Sequence, residues 1–138
     1  MRVKVIIFDL DDTLFDEIEY VKSGFKYVSN YFSNYYNLNS NSIYDFMIKD
    51  LEINGRGKIF DNMLNFFDIY SKKKVIDSIR LYRTHKPNII LPSYSIDILK
   101  YLNKKKIPMY IITDGNKIVQ SNKIEALKLT KYIKKEFI

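Results

Sequence analysis

The chain has no cysteine, a single histidine and no apolar stretch of membrane-spanning length. The absence of cysteine excludes disulfides, thiolate-bound zinc and thiol catalysis. One histidine, His85, cannot form a His cluster for a transition metal. The first apolar run is too short for a signal peptide and ends in acids, and nothing approaches the roughly 20 residues that span a bilayer. A soluble, cytoplasmic protein without a membrane partner is expected. Internal repeats and low-complexity linkers are also missing. A length of 138 residues suits one domain, or one domain with a small insert. The net charge of +7 raises nucleic acid as a partner. However, the lysines are scattered or lie in short runs, Lys72-Lys73-Lys74 and Lys104-Lys105-Lys106, which read as solvated helix ends. The richness in Ile, Lys, Asn and Tyr is what AT-rich coding gives. No nucleic-acid partner is therefore expected, only a modest attraction for small phosphorylated molecules.

What is present is concentrated in Val3 to Leu14, where an apolar run stops at Asp9, Asp11, Asp12 and Thr13. The β-branched run reads as a buried strand, apolar on both faces from Val5 to Phe8 as in a central parallel strand. Carboxylates this close repel one another and call for a cation. Oxygen ligands favour a hard ion such as Mg²⁺. In open α/β sheets, ligands bind beyond the carboxyl ends of strands, where these acids lie.

A helical stretch follows. Ile18, Val21, Phe25, Val28, Phe32 and Tyr35 recur at spacings of three and four, as on one helix face. Ser42 is a candidate cap for a second helix with Ile43, Phe46, Met47 and Leu51 inward. Asn54-Gly55-Arg56-Gly57 reads as a loop. Further helices carry Ile59, Met63, Phe66 and Phe67, then Val75, Ile76, Ile79 and Tyr82 behind a Ser71 cap and ahead of Pro87. Residues 16–86 thus form a helical unit between two α/β segments, 1–15 and 87–138. In the second segment a helix spans Tyr94 to Asn103, with Ile98, Leu99 and Leu102 inward. A strand from Ile107 to Ile112, entered through Pro108, ends in Thr113-Asp114-Gly115-Asn116. A helix covers Lys117 to Leu129, and Phe137-Ile138 read as the start of a third strand. A hydroxyl and free N–H groups between a strand end and a helix start suit an anion, and Gly115 permits close approach.

The Asp9-x-Asp11-x-Thr13 segment after its strand resembles motif I of the haloacid dehalogenase-like superfamily. Ile111-Ile112-Thr113 resembles motif II, and Gln120, Lys123 and Leu127 resemble the helix that follows it in subfamily I. The resemblance implies an α/β Rossmann-like core with a parallel sheet, 16–86 as an inserted helical C1 cap, and phosphatase activity on a small phosphometabolite. Asp9 would be the nucleophile and Asp11 the general acid and base. Both would hold Mg²⁺, while Thr113, Asp114 and Gly115 would hold the phosphate. Asp11 favours phosphatase over dehalogenase, because halide departure needs no acid. Asp12 and Thr13 would brace the turn, and Asp114 serves the phosphate or simply the turn. Arg56 either reaches over the site to a substrate anion or is a solvated loop residue.

Two features stand apart from the family pattern. Lys86-Pro87 resembles the Lys-Pro of motif III but precedes motif II, and His85 beside it reads as solvated. The motif III lysine and the motif IV carboxylates have no counterpart after Thr113, since Lys131, Lys134 and Lys135 lie in a different context. The sheet is therefore expected to be incomplete at its C-terminus, and activity impaired. The open edge of Val5 to Phe8 would then self-associate or recruit a complementing chain. The alternative is a non-catalytic remnant that binds phosphate or a protein partner.

Overall fold

The structure, a computed structural model, describes residue 2 and residues 4–134. Val3, Lys135 and the Phe137-Ile138 strand start lie outside the described residues. The elements in chain order are β1 (Ile6–Phe8), α1 (Glu17–Tyr36), α2 (Ser40–Asn54), α3 (Ile59–Phe66), α4 (Lys72–Thr84), α5 (Ser93–Lys104), β2 (Met109–Ile111) and α6 (Lys117–Ala126), followed by a 3₁₀ turn at Leu129–Lys131. They divide into two units. One comprises the residues up to Tyr20 and from Lys86 onward, the other Val21–His85. The division falls within α1.

The helical unit follows its sequence periodicity closely. Val21, Phe25, Val28 and Phe32 of α1 share a core with Ile43 and Met47 of α2, Ile59, Met63 and Leu64 of α3, and Leu81 of α4. The expectation that Tyr35 of α1 and Ile76 of α4 face inward, with Phe66 of α3 among the apolar positions, needs correction: all three are exposed, because the core-facing stripe of each helix is narrower than its apolar content. The second helix starts earlier than Ser42 suggested. Asn39 is its cap and accepts the Ser42 N–H at 2.9 Å, because several residues of the polar run 37–42 are capable of capping. Ser71 caps α4 as expected, accepting from the Lys74 N–H. Gly55 closes α2 at φ 72°, a conformation that only glycine adopts freely. Gly24 serves a different need. A Cβ there would lie 2.3 Å from the Tyr82 ring, so α1 can approach α4 only without a side chain at this position.

His85 is not solvated. It is 4% exposed and caps the C-terminus of α4. Its Nδ1 lies 2.6 Å from the Tyr82 carbonyl and its Nε2 3.1 Å from Ser23 Oγ. A carbonyl can only accept, so Nδ1 carries the proton and Nε2 of the neutral ring accepts from Ser23. Burial lowers its pKa below the ordinary histidine value, and the backbone hydrogen bond to Tyr82 opposes this.

The other unit is α/β. Its sheet has two parallel strands among the described residues, with Ile6 opposite Met109 and Phe8 opposite Ile111. Both strands are shorter than the apolar runs imply, although cross-strand bonds carry on past them: the Ile6 N–H bonds the Pro108 carbonyl and the Ile112 N–H bonds the Phe8 carbonyl. The expectation of two covered faces needs correction: Ile7 is 58% exposed and Val5 43%. On α5 the inward residues are Ser95, Leu99 and Leu102, while Ile98 faces solvent. Ser95 Oγ donates to the Leu14 carbonyl at 2.6 Å, which fastens the acidic turn after β1 to this helix. No described helix is long and apolar enough to cross a membrane.

Candidate active site

The parallel register sends both strand exits out of the same end of the sheet. Asp9 follows Phe8 in β1, and Thr113 lies two residues beyond Ile111 in β2. Asp9 is exposed, and one carboxylate oxygen accepts the Leu10 N–H at 2.8 Å. Its other oxygen has no partner among the described residues. The chain then turns sharply. Asp12 adopts φ 58° and donates its N–H to the Phe15 carbonyl, while its side chain accepts the Glu17 N–H at 2.9 Å. Asp12 thereby closes the turn and starts α1. The Leu14 N–H returns to the Leu10 carbonyl, so the backbone around Asp11 is fixed from both sides.

Asp11 is held from α6. Its Oδ1 accepts from Lys123 Nζ at 2.8 Å and its Oδ2 from Gln120 Nε2 at 2.9 Å. The Gln120 amide also donates to Thr113 Oγ1 at 2.6 Å, joining the two strand exits through one side chain. Gln120 and Lys123 are 6% and 5% exposed. The buried Lys123 ammonium also lies over the Tyr20 ring, 4.5 Å from its centroid, a favourable setting for a cation out of water.

Around Thr113 the loop is open. Gly115 has φ 117°, strained for any residue with a side chain. The N–H groups of Asp114 and Gly115 have no acceptor among the described residues. The first-turn N–H groups of α6 are occupied, since Asn116 Oδ1 accepts from Ile118 and Val119 at 3.0 and 3.2 Å. Thr113, Gly115, Lys117 and Gln120 contribute to the lining of a cleft of about 1000 Å³ against β2 and α6. The Asp114 side chain is exposed.

The structure thus brings Asp11 and Thr113 together and sets Asp9 and Gly115 on the adjoining strand exits. Arg56 belongs to the helical unit. There it borders a cavity of about 330 Å³ with Phe25, Phe60 and Tyr82. The sequence reading named Lys123 and Gln120 only for their likeness to a family helix and gave them no role. Their signal was spacing: positions 120, 123, 124 and 127 form one buried stripe of α6, and two polar residues on such a stripe demand partners.

Among the described residues no three His, Asp or Glu side chains are grouped to hold a metal ion. Mg²⁺ commonly binds one or two carboxylates and completes its shell with water and substrate phosphate. The residues fit that weaker mode, with Asp9 offering a free oxygen and Asp11 already engaged.

Residues 6–137 match the family described as haloacid dehalogenase-like hydrolase. A search of curated proteins finds no match. Among solved structures, a candidate phosphatase from Clostridium difficile is similar at 17% identity and a TM-score of 0.54, with 97% of this chain and 60% of that one covered. The candidate hydrolase YfnB from Bacillus subtilis, solved bound to magnesium, matches at 15% identity and a TM-score of 0.54, covering 97% of this chain and 62% of that one. A haloacid dehalogenase-like hydrolase from Xanthomonas campestris matches at 16% and 0.50, covering 95% and 59%. This chain spans about three fifths of the length of each.

Proposed function

Because the chain belongs to the haloacid dehalogenase-like hydrolase family, we propose that it is a Mg²⁺-dependent phosphatase of a small phosphorylated metabolite, working through an aspartyl-phosphate. The observation that carries this reading is the Gln120 bridge, which ties Asp11 to Thr113 at the exit of the paired strands. The free oxygen of Asp9 attacks phosphorus and the ester P–O bond breaks. Asp11 gives the departing oxygen its proton. Water then attacks the aspartyl-phosphate, and Asp11 takes the water's proton as phosphate leaves. The Thr113 hydroxyl and the Asp114 and Gly115 N–H groups receive the phosphoryl oxygens. Asp9 together with Asp11 would hold Mg²⁺, which would offset charge between carboxylate and phosphate. Under this reading residues 21–85 serve as the cap, with Arg56 as a contact for substrate anions.

Residues 1–138 alone should turn over slowly. Lys123 is already paired with Asp11, and removing one charge-stabilising group from such a site costs about two to three powers of ten. The test is hydrolysis of p-nitrophenyl phosphate with Mg²⁺ and with EDTA, by wild type and Asp9→Asn. Slow, Mg²⁺-dependent turnover lost in Asp9→Asn supports the proposal. Turnover indifferent to Asp9 refutes it.

The exposed Ile7 of β1 and Val5 just before it favour a second reading, in which this apolar strand pairs with another copy or a complementing chain. Light scattering across a concentration series tests it. A monomer at every concentration rules out self-association.

A further inference from the structure

The buried Gln120 amide directs its N–H bonds to two acceptors, Asp11 Oδ2 at 2.9 Å and Thr113 Oγ1 at 2.6 Å. The carboxylate decides which end of the amide faces the strand exits. The opposite flip would set the amide oxygen against Asp11, two acceptors with no proton between them. With Nε2 donating, Gln120 occupies a lone pair of the Thr113 hydroxyl and leaves the hydroxyl proton to point elsewhere. That proton has only a long contact, 3.4 Å to the Asp114 carbonyl, near the limit of a hydrogen bond. It is therefore the donor at this loop most readily turned toward an incoming oxygen anion, beside the unpartnered N–H groups of Asp114 and Gly115.

We propose that Gln120 is a positioning residue that fixes Thr113 as a hydrogen-bond donor to the phosphoryl group and locks Asp11 in step with it. The proposal rests on the phosphatase reading above and assigns Gln120 no contact with substrate. One amide spanning both strand exits ensures that the group holding the phosphoryl oxygen and the group moving the proton cannot drift independently. A misplacement of about 1 Å at such sites is costly. A purely structural Gln120 would instead anchor α6, with no preferred direction for the Thr113 proton.

The test titrates inorganic phosphate into the full chain with Mg²⁺ present, followed by ¹⁵N NMR. In wild type the amides of residues 113–116 should shift. Gln120→Met should weaken phosphate binding about tenfold, the usual size for a hydrogen bond to a charged group. In a Thr113→Val background the same substitution should have almost no further effect. Equal weakening in both backgrounds overturns the positioning role and leaves Gln120 a structural residue. Absence of any phosphate-dependent shift in wild type overturns the phosphatase reading, and the role assigned to Thr113 falls with it. The wild-type Gln120 side-chain NH₂ signal provides a check independent of how variants fold. It should exchange slowly with solvent and move in Asp11→Asn. Fast exchange overturns the bridge itself.

Discussion

Asp50 and Asp11 are carboxylates drawn into the two units of the same chain, and their surroundings differ in kind. Asp50, in the helical unit, is 7% exposed and accepts from two neutral amides, Asn54 at 2.7 Å and Asn62 at 3.0 Å. It joins α2 to α3, two helices that share the core of that unit. Asp11, in the α/β unit, accepts from a buried lysine and from an amide shared with Thr113. The first arrangement is closed: both carboxylate oxygens of Asp50 are taken up by neutral amides. The second is left open on one side by a free Asp9 oxygen, by loop N–H groups without acceptors and by a cleft. The polar groups around Asp50 close on one another, whereas those around Asp11 leave donors and an acceptor free beside them.

The comparison breaks most decisively at Asp9. Asp9→Asn should lower phosphomonoester hydrolysis by about 10³-fold or more, as loss of a nucleophile does. Because the side chain is exposed, the urea midpoint should stay within the scatter of surface substitutions. A large loss of stability would mean that Asp9 is structural, like Asp50.

Lys123→Met should come next. Removing the cation leaves Asp11 facing one amide and an apolar side chain. Breaking a buried pair costs about 3–5 kcal/mol when both partners are enclosed. The Asp11 side chain is 27% exposed, so about 2 kcal/mol is expected after solvent screening, read from urea unfolding. A change below the scatter of surface variants would show that the pair is not needed to hold α6.

Much of this contrast was legible in the sequence, for identifiable reasons. The Asp9-x-Asp11 pattern stands out because an apolar strand ending in clustered acids has no stabilising explanation. The α1 face from Val21 to Phe32 is visible because one helix period runs uninterrupted against one core. The Ser71 cap stands alone ahead of its helix and was read correctly. In the run 37–42 several residues are capable of capping, and Asn39, not Ser42, takes the place. Lys123 stayed without a role because lysines are plentiful here and nearly all are solvated; only its place on the buried stripe of α6 distinguishes it. His85 was misjudged because a connection segment reads as exposed, whereas close packing of α1 on α4 at Gly24 encloses it. The covered faces foreseen for β1 could not be checked from sequence, since a strand's own residues do not reveal how many neighbours it has.

Gly24→Ala probes the closed side of the comparison. The added methyl would meet the Tyr82 ring, and overpacking of this kind costs about 1–3 kcal/mol. The loss should appear in unfolding, with hydrolysis of p-nitrophenyl phosphate per folded molecule unchanged. A fall in activity beyond the fall in folded fraction would mean that the packing of Gly24 on Tyr82 bears on the chemistry and not on stability alone.

The smallest expected effect is the pH response of His85. Its pKa in the folded chain lies below its value in the unfolded chain, so the unfolded state binds the proton more readily. Its contribution to stability is full above about pH 6.5 and is lost as pH falls through the folded value. The difference in unfolding free energy between wild type and His85→Asn should therefore shrink as the pH is lowered from 7 toward 5. A difference that is constant across this range would contradict the buried neutral ring.

The central claim is that Asp9 carries the phosphoryl group. It is tested most directly by mixing the Asp11→Asn variant with p-nitrophenyl phosphate and Mg²⁺, quenching in acid and mapping the peptides by mass spectrometry. With the water-activating carboxylate removed, the account predicts a phosphoryl adduct on the peptide containing Asp9, absent when Asp9 is also replaced by Asn. An adduct on any other residue, or wild-type turnover with no adduct in the variant, would contradict it.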